Sequence, residues 1–123
     1  TWMNLSGGSV LAARDFYKLD LTDILVICDD FQLPLNTIRM RLSGSAGGQK
    51  GLADTIARLS STSIPRLRVG IGPVPKHQDP PSFVLGKFTK YEQSDLNETI
   101  HRAADAAESW VTLGIESTMN RYN

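Results

Sequence analysis

Five apolar residues in a row, Ile24-Leu-Val-Ile-Cys28, are followed at once by Asp29 and Asp30. A run with no polar alternation and β-branched character is the signature of a strand covered on both faces, as in a parallel sheet. The segments around it alternate in type. Residues 8–17 place Val10, Leu11, Ala13, Phe16 and Tyr17 at roughly helical spacing. Residues 31–36, with Pro34, read as a turn, and Ile38-Arg-Met-Arg-Leu42 alternates as a strand with one wet face. A glycine-rich loop at 44–51 opens a short helix at 52–59. Residues 67–71 form another strand, and residues 73–81 carry four prolines and read as irregular. From Glu92 the pattern is helical through Leu96, Ile100, Ala103, Ala107 and Val111; Gly114 stops it before a last helix at 115–121. The order helix, strand, strand, helix, strand, helix predicts α/β layers in a single domain over residues 1–123.

With 123 residues the chain can build one modest core. No apolar run approaches the roughly 20 residues of a membrane span, and no signal-peptide pattern opens it, so no membrane partner is expected and a cytoplasmic location is. The single Cys28 excludes an intrachain disulfide framework and fits a reducing compartment. Thr1 is no initiator, and Trp2-Met3 reads as the middle of an element, so a cut or processed start is expected.

Net charge is zero but unevenly spread. Residues 1–35 hold two basic and five acidic side chains, residues 36–90 nine and two, residues 91–123 two and six. The basic middle is a polyanion footprint, unless the charges mix in three dimensions and the field cancels.

Chemistry-bearing residues gather around two places. Asp29 and Asp30 close a strand, and in open α/β sheets ligands bind beyond the carboxyl ends of strands. A carboxylate there orients a histidine, binds a metal or acts as a base, or simply caps a turn; Asp29, nearer the strand, is the preferred candidate. No His or Cys cluster joins the pair, so no metal is expected. The loop Gly44-Ser-Ala-Gly-Gly-Gln-Lys-Gly51 resembles a phosphate cradle without being a P-loop, because Lys50 is followed by Gly51 and not by Ser or Thr. Glycines let backbone approach a ligand, and a helix N-terminus offers free N–H groups; the bland alternative is a flexible connection. Arg39 and Arg41 share a strand face, and Arg66 and Arg68 repeat the spacing, so at least one pair is expected on phosphate. His77 and His101 lack a catalytic setting. Cys28 reads as a buried strand cysteine, and Phe16, Phe88 and Trp110 as packing residues.

Five blocks, Trp2-Met-Asn-Leu-Ser-Gly7, Ile24-Leu-Val-Ile-Cys-Asp-Asp-Phe-Gln-Leu-Pro34, Arg39-Met-Arg-Leu-Ser-Gly-Ser-Ala-Gly-Gly-Gln-Lys-Gly-Leu52, Arg66-Leu-Arg-Val-Gly-Ile-Gly72 and Phe83-Val-Leu-Gly-Lys-Phe88, come in an order and spacing that resembles the bacterial-type peptidyl-tRNA hydrolase family. The resemblance implies a three-layer α/β/α sandwich around a mixed sheet. It implies hydrolysis of the ester joining a peptide to the 3′ end of tRNA, without cofactor or metal, by a monomer that grips the acceptor stem and 3′ end of peptidyl-tRNA. The family uses a histidine base held by an aspartate. Asn4 matches the substrate-positioning asparagine of the Met-Asn motif, with Met3 beside it, and Asp29 matches the aspartate that holds the base. Gly47, Gly48 and position 50 match the substrate-binding loop, Arg41 and Arg68 the phosphate-contacting positions, and residues 80–85 the gate beside the peptide channel.

Two departures stand out. The family's opening strand and the motif carrying its catalytic histidine fall upstream of Thr1, so the chain is expected to be incomplete at its N-terminus, to lack the family's N-terminal strands, and to be inactive alone. Where the family usually reads Gly-Gly-His-Asn-Gly, this chain reads Gly47-Gly-Gln-Lys-Gly51, so Lys50 replaces a substrate-binding asparagine; a lysine donates hydrogen bonds but accepts none. The alternative to a hydrolase is an RNA-binding module of the same fold without catalysis, and, further off, a different α/β hydrolase using Cys28 or Asp29.

Overall fold

A computed structural model describes residues 2–84 and 86–123. The chain opens with a 3-10 turn at Met3–Leu5 and continues through α1 (Ser6–Tyr17), a second 3-10 turn at Leu21–Asp23, β1 (Val26–Pro34), β2 (Ile38–Arg41), α2 (Lys50–Leu59), β3 (Arg66–Gly72), α3 (Pro80–Val84), α4 (Lys90–Leu113) and α5 (Ile115–Tyr122). The strands form one mixed sheet in the order β1-β3-β2, with β1 parallel and β2 antiparallel to β3. The α/β class read from the sequence is the class observed.

Alternation along β2 and β3 sorts the sheet's two faces. Ile38 and Met40 stand in register with Val69 and Leu67. With Ala103 and Ala106 of α4, Ile38, Met40 and Leu67 form the buried core, flanked by Leu25, Val69, Trp110, Ile115, Met119 and Tyr122. Arg39, Arg41, Arg66 and Arg68 therefore project from the other face. α4 and α5 pack against β2 and β3, whereas α2 packs against β1 and carries α1 on its back. A hydrogen bond between Ser109 Oγ and Thr118 Oγ1, 2.8 Å, ties α4 to α5. Asn123 brackets the outer edge of β2, accepting from the Met40 N–H at 2.7 Å and donating to its carbonyl at 2.9 Å.

Several expectations need correcting. β1 does not end at Asp30 but runs on to Pro34, where a turn was expected. Nor is it covered on both faces: Ile27 is 55% exposed, because β1 lies at the end of the strand order while α4 and α5 sit over β2 and β3. Phe16 is not packing material; it is 78% exposed and stacks edge-on against Tyr17. The proline-rich segment is not irregular throughout, since Pro80 and Pro81 open α3. Proline is tolerated in a helix's first turn, and the Asp79 carboxylate accepts from the Ser82 N–H at 3.1 Å, which holds its carboxyl below the usual range. α4 begins before Glu92 because that residue is the far half of a capping box: Glu92 Oε1 accepts from the Thr89 N–H at 2.7 Å.

Candidate functional site

Where β1 passes the glycine loop, a cavity of about 400 Å³ opens. It is lined by Met3, Asp29, Asp30, Phe31, Gly47, Gly48, Gln49, Lys50, Pro80, Pro81 and Val84. Of the residues singled out in the sequence, the structure brings Met3, Asp29, Gly47, Gly48 and Lys50 to one cavity. Asn4 is exposed in the neighbouring 3-10 turn and does not line the cavity. The expected gate contributes Pro80, Pro81 and Val84; its last residue, Leu85, lies outside the described residues, as does Thr1.

Two glycines shape the walls. Gly48 has φ +87°, and a Cβ there would lie 3.3 Å from the Phe31 ring, so Phe31 can lie flush against the loop. At Gly51 a Cβ would lie 2.9 Å from Met3 Sδ, so the absent side chain lets the first turn of α2 close on the 3-10 turn. Gln49 joins these parts. Its Oε1 accepts from the Leu52 N–H at 2.7 Å, capping α2, and its Nε2 donates to Asp29 Oδ1 at 3.1 Å. Lys50 follows as the first helical residue, exposed at the cavity's rim and without an ion-pair partner among the described residues. A cation opposes the helix dipole at that end.

The arginines divide into different jobs. Arg66, a member of one of the two pairs offered for phosphate, is 1% exposed and spent on the protein itself. Its Nε donates to the Ile64 carbonyl at 2.9 Å, Nη1 to the carbonyls of Gly44 and Ser45 at 2.8 Å each, and Nη2 to that of Thr62 at 2.9 Å. Burial, and then the neighbouring charge of Arg68, lower its pKa. Arg66 is thus the fastening of the glycine loop to β3. Arg68 pairs with Asp30, whose other oxygen accepts from the Gln32 N–H at 2.8 Å. Asp30 is 5% exposed and its charge is met within the protein, whereas Asp29 has no ion-pair partner among the described residues. Arg39 and Arg68 stand opposite each other across the ladder, a like-charge pairing that Asp30 offsets. Arg41 is half-buried; its guanidinium reaches the Met40 carbonyl at 3.4 Å and no carboxylate among the described residues.

Cys28 sits in register with Arg68. Burial first, then the carboxylates of Asp29 and Asp30, push its thiol up to about 11 against the pull of Arg68 and Arg66. A thiol held neutral is no nucleophile at neutral pH. His77 and His101 are exposed and outside the cavity. Among the described residues no three His, Cys, Asp or Glu side chains converge as a metal-holding group, and no helix is long and apolar enough to cross a membrane.

Gln49 is the residue the sequence reading missed. Glutamine carries no catalytic signature, and its position before α2 marked only a loop end.

The model of the peptidyl-tRNA hydrolase family matches residues 1–123. A peptidyl-tRNA hydrolase of Rhodopirellula baltica is 50% identical over 123 residues, all of this chain and 65% of that protein. One of Chlorobium phaeobacteroides is also 50% identical, over 65% of its length. The crystal structure of peptidyl-tRNA hydrolase from Acinetobacter baumannii superposes with a TM-score of 0.84 at 32% identity, covering 98% of this chain and 61% of that one. The chain thus spans less than two thirds of the length of these relatives.

Proposed function

Because the chain belongs to the peptidyl-tRNA hydrolase family, we propose that its protein hydrolyses the ester between a peptide and the 3′ end of tRNA. The observation that carries this reading is the cavity itself, where Asp29, a carboxylate with no ion-pair partner among the described residues, faces a glycine loop, a helix N-terminus and an apolar wall. Asp29 is the carboxylate that holds the general base, a histidine by family resemblance, in the tautomer that takes a proton from water. Phe31, Met3 and Val84 give the departing peptide an apolar wall. Gln49 takes the Leu52 N–H, so the N–H groups of Lys50 and Gly51 are the ones left in the first turn of α2 to meet the negative charge that grows on the ester oxygen.

Asn4, the residue after Met3, holds the substrate from just outside the cavity. Lys50 supplies a positive charge to the phosphate nearest the ester. Arg41, its guanidinium uncommitted to any carboxylate, contacts the acceptor-stem backbone. Arg68 contributes less charge there, because Asp30 already neutralises it.

The test is release of peptide from peptidyl-tRNA by the full-length protein. Asp29→Ala should lower kcat by roughly 10²–10⁴-fold, the usual worth of general acid–base work, with little change in KM. Tight tRNA binding with no turnover by the wild-type protein would replace this reading with an RNA-binding module of the same fold. A loss confined to KM in Asp29→Ala would remove Asp29 from the mechanism.

A further inference from the structure

Gln49 stands between two groups that leave it one orientation. The Leu52 N–H can only donate, and a carboxylate at Asp29 can only accept, so Oε1 must face Leu52 and Nε2 must face Asp29. Both distances fit that assignment. Glutamine is also a poor residue for the work of capping alone. Ser, Thr, Asp and Asn are the preferred caps, with shorter side chains that lose less freedom when fixed. A long amide in this place makes sense when it must cap α2 and still reach β1.

From this we propose that Gln49 is a positioning residue: its amide, anchored on the first turn of α2, fixes the Asp29 carboxylate so that one oxygen is held and the other is presented to the base. The inference rests on the hydrolase reading for the purpose of the clamp, and on the two hydrogen bonds for its existence. An amide has no charge to gain or lose, so it holds the carboxylate alike wherever the carboxylate is ionised. In the family's usual pattern a histidine occupies this place, and an imidazole N–H can donate in the same way.

The decisive variant is Gln49→Glu in the full-length protein. Its carboxylate still accepts from Leu52, and its charge suits a helix N-terminus, but it cannot donate to Asp29. We expect KM within about threefold and kcat lowered by roughly 10–100-fold, the scale of a misplaced reacting group, with thermal unfolding lowered where the two carboxylates repel and unchanged in the uncharged variant Gln49→Ser. In turnover Gln49→Ser, which caps but cannot reach Asp29, should behave likewise, and Gln49→His, which regains a donor, should recover most of kcat at neutral pH. Wild-type kcat in Gln49→Glu and Gln49→Ser would overturn the proposal.

A second measurement needs no turnover. In Asp29→Ala, the Gln49 side-chain amide resonances should shift and exchange faster with solvent while the Leu52 N–H stays protected. Unmoved Gln49 resonances would overturn the clamp whatever the activity. Moved resonances in a wild-type protein that never hydrolyses peptidyl-tRNA would refute the hydrolase reading and keep the clamp.

Discussion

Replacing Arg66 by methionine tests the claim that a buried guanidinium fastens the glycine loop. Methionine keeps the apolar stem and removes four hydrogen bonds, to the carbonyls of Thr62, Ile64, Gly44 and Ser45. Hydrogen bonds from a charged donor contribute about 1.5–3 kcal/mol each when their acceptors stay dry. Only Ile64 belongs to a buried residue; Thr62, Gly44 and Ser45 belong to exposed ones and regain water. Relief of the guanidinium's own desolvation offsets part of the loss. The balance is a destabilisation of about 2–4 kcal/mol. Arg66→Lys, with a charge but no planar fork, should recover about half of that. The assay is urea unfolding, where the midpoint falls and the slope stays constant, together with amide exchange, which should quicken across residues 44–48. A loss below about 0.5 kcal/mol, with loop exchange unchanged, would show that the loop holds itself and would refute the reasoning.

Arg41→Ala in the full-length protein should lower the magnitude of the log–log salt dependence of tRNA binding by about 0.7–0.9, for any tRNA sequence, and leave unfolding near the wild-type value; an unchanged slope places Arg41 off the RNA. Arg68→Ala should instead lose about 3–5 kcal/mol of stability, because Asp30 is left charged and buried, and Asp30→Asn in the same chain should restore much of it; chemical denaturation of the pair checks this. Lys50→Asn should preserve turnover, raise thermal stability slightly by removing a cation from a helix N-terminus, and flatten the salt dependence of substrate KM. The Cys28 thiol lies at about 11 in the folded protein against an ordinary 9.0, so the stability it contributes is whole below pH 9 and is lost as pH rises towards 11, by up to about 2–3 kcal/mol. Alkaline unfolding of Cys28→Ala should lack that decline, and parallel curves for the two proteins would refute the shift.

Much of the site was legible because its parts are carried by chemistry that local sequence announces. Asp29 after an apolar run, glycines at 47 and 48 before a helix, and Met3 in a short motif are each signals a few residues long, and all of them line one cavity. The roles of the arginines were not legible. Spacing put Arg66 and Arg68 on one face, which is where they are, but their partners are backbone carbonyls 2–22 residues away and an aspartate on a neighbouring strand. Charge patterning cannot tell a guanidinium turned inward from one turned to solvent.

The sequence by itself determined the class of fold and the order of most of its regular elements, since periodicity, glycine stops and helix caps act over a few residues. Even there it misjudged β1, because an apolar run says that a strand wants cover and not which helices will supply it. Tertiary structure alone decided which of two adjacent aspartates is spent. Asp30 is held by Arg68 from β3 and the Gln32 N–H, and Asp29 is left facing the cavity with Gln49 from α2 at its side. The sequence favoured Asp29 for its place beside the apolar run and by family resemblance, but it did not show what holds Asp30. The difference lies in the partners that chain crossings bring within hydrogen-bond distance, over separations that no local pattern records.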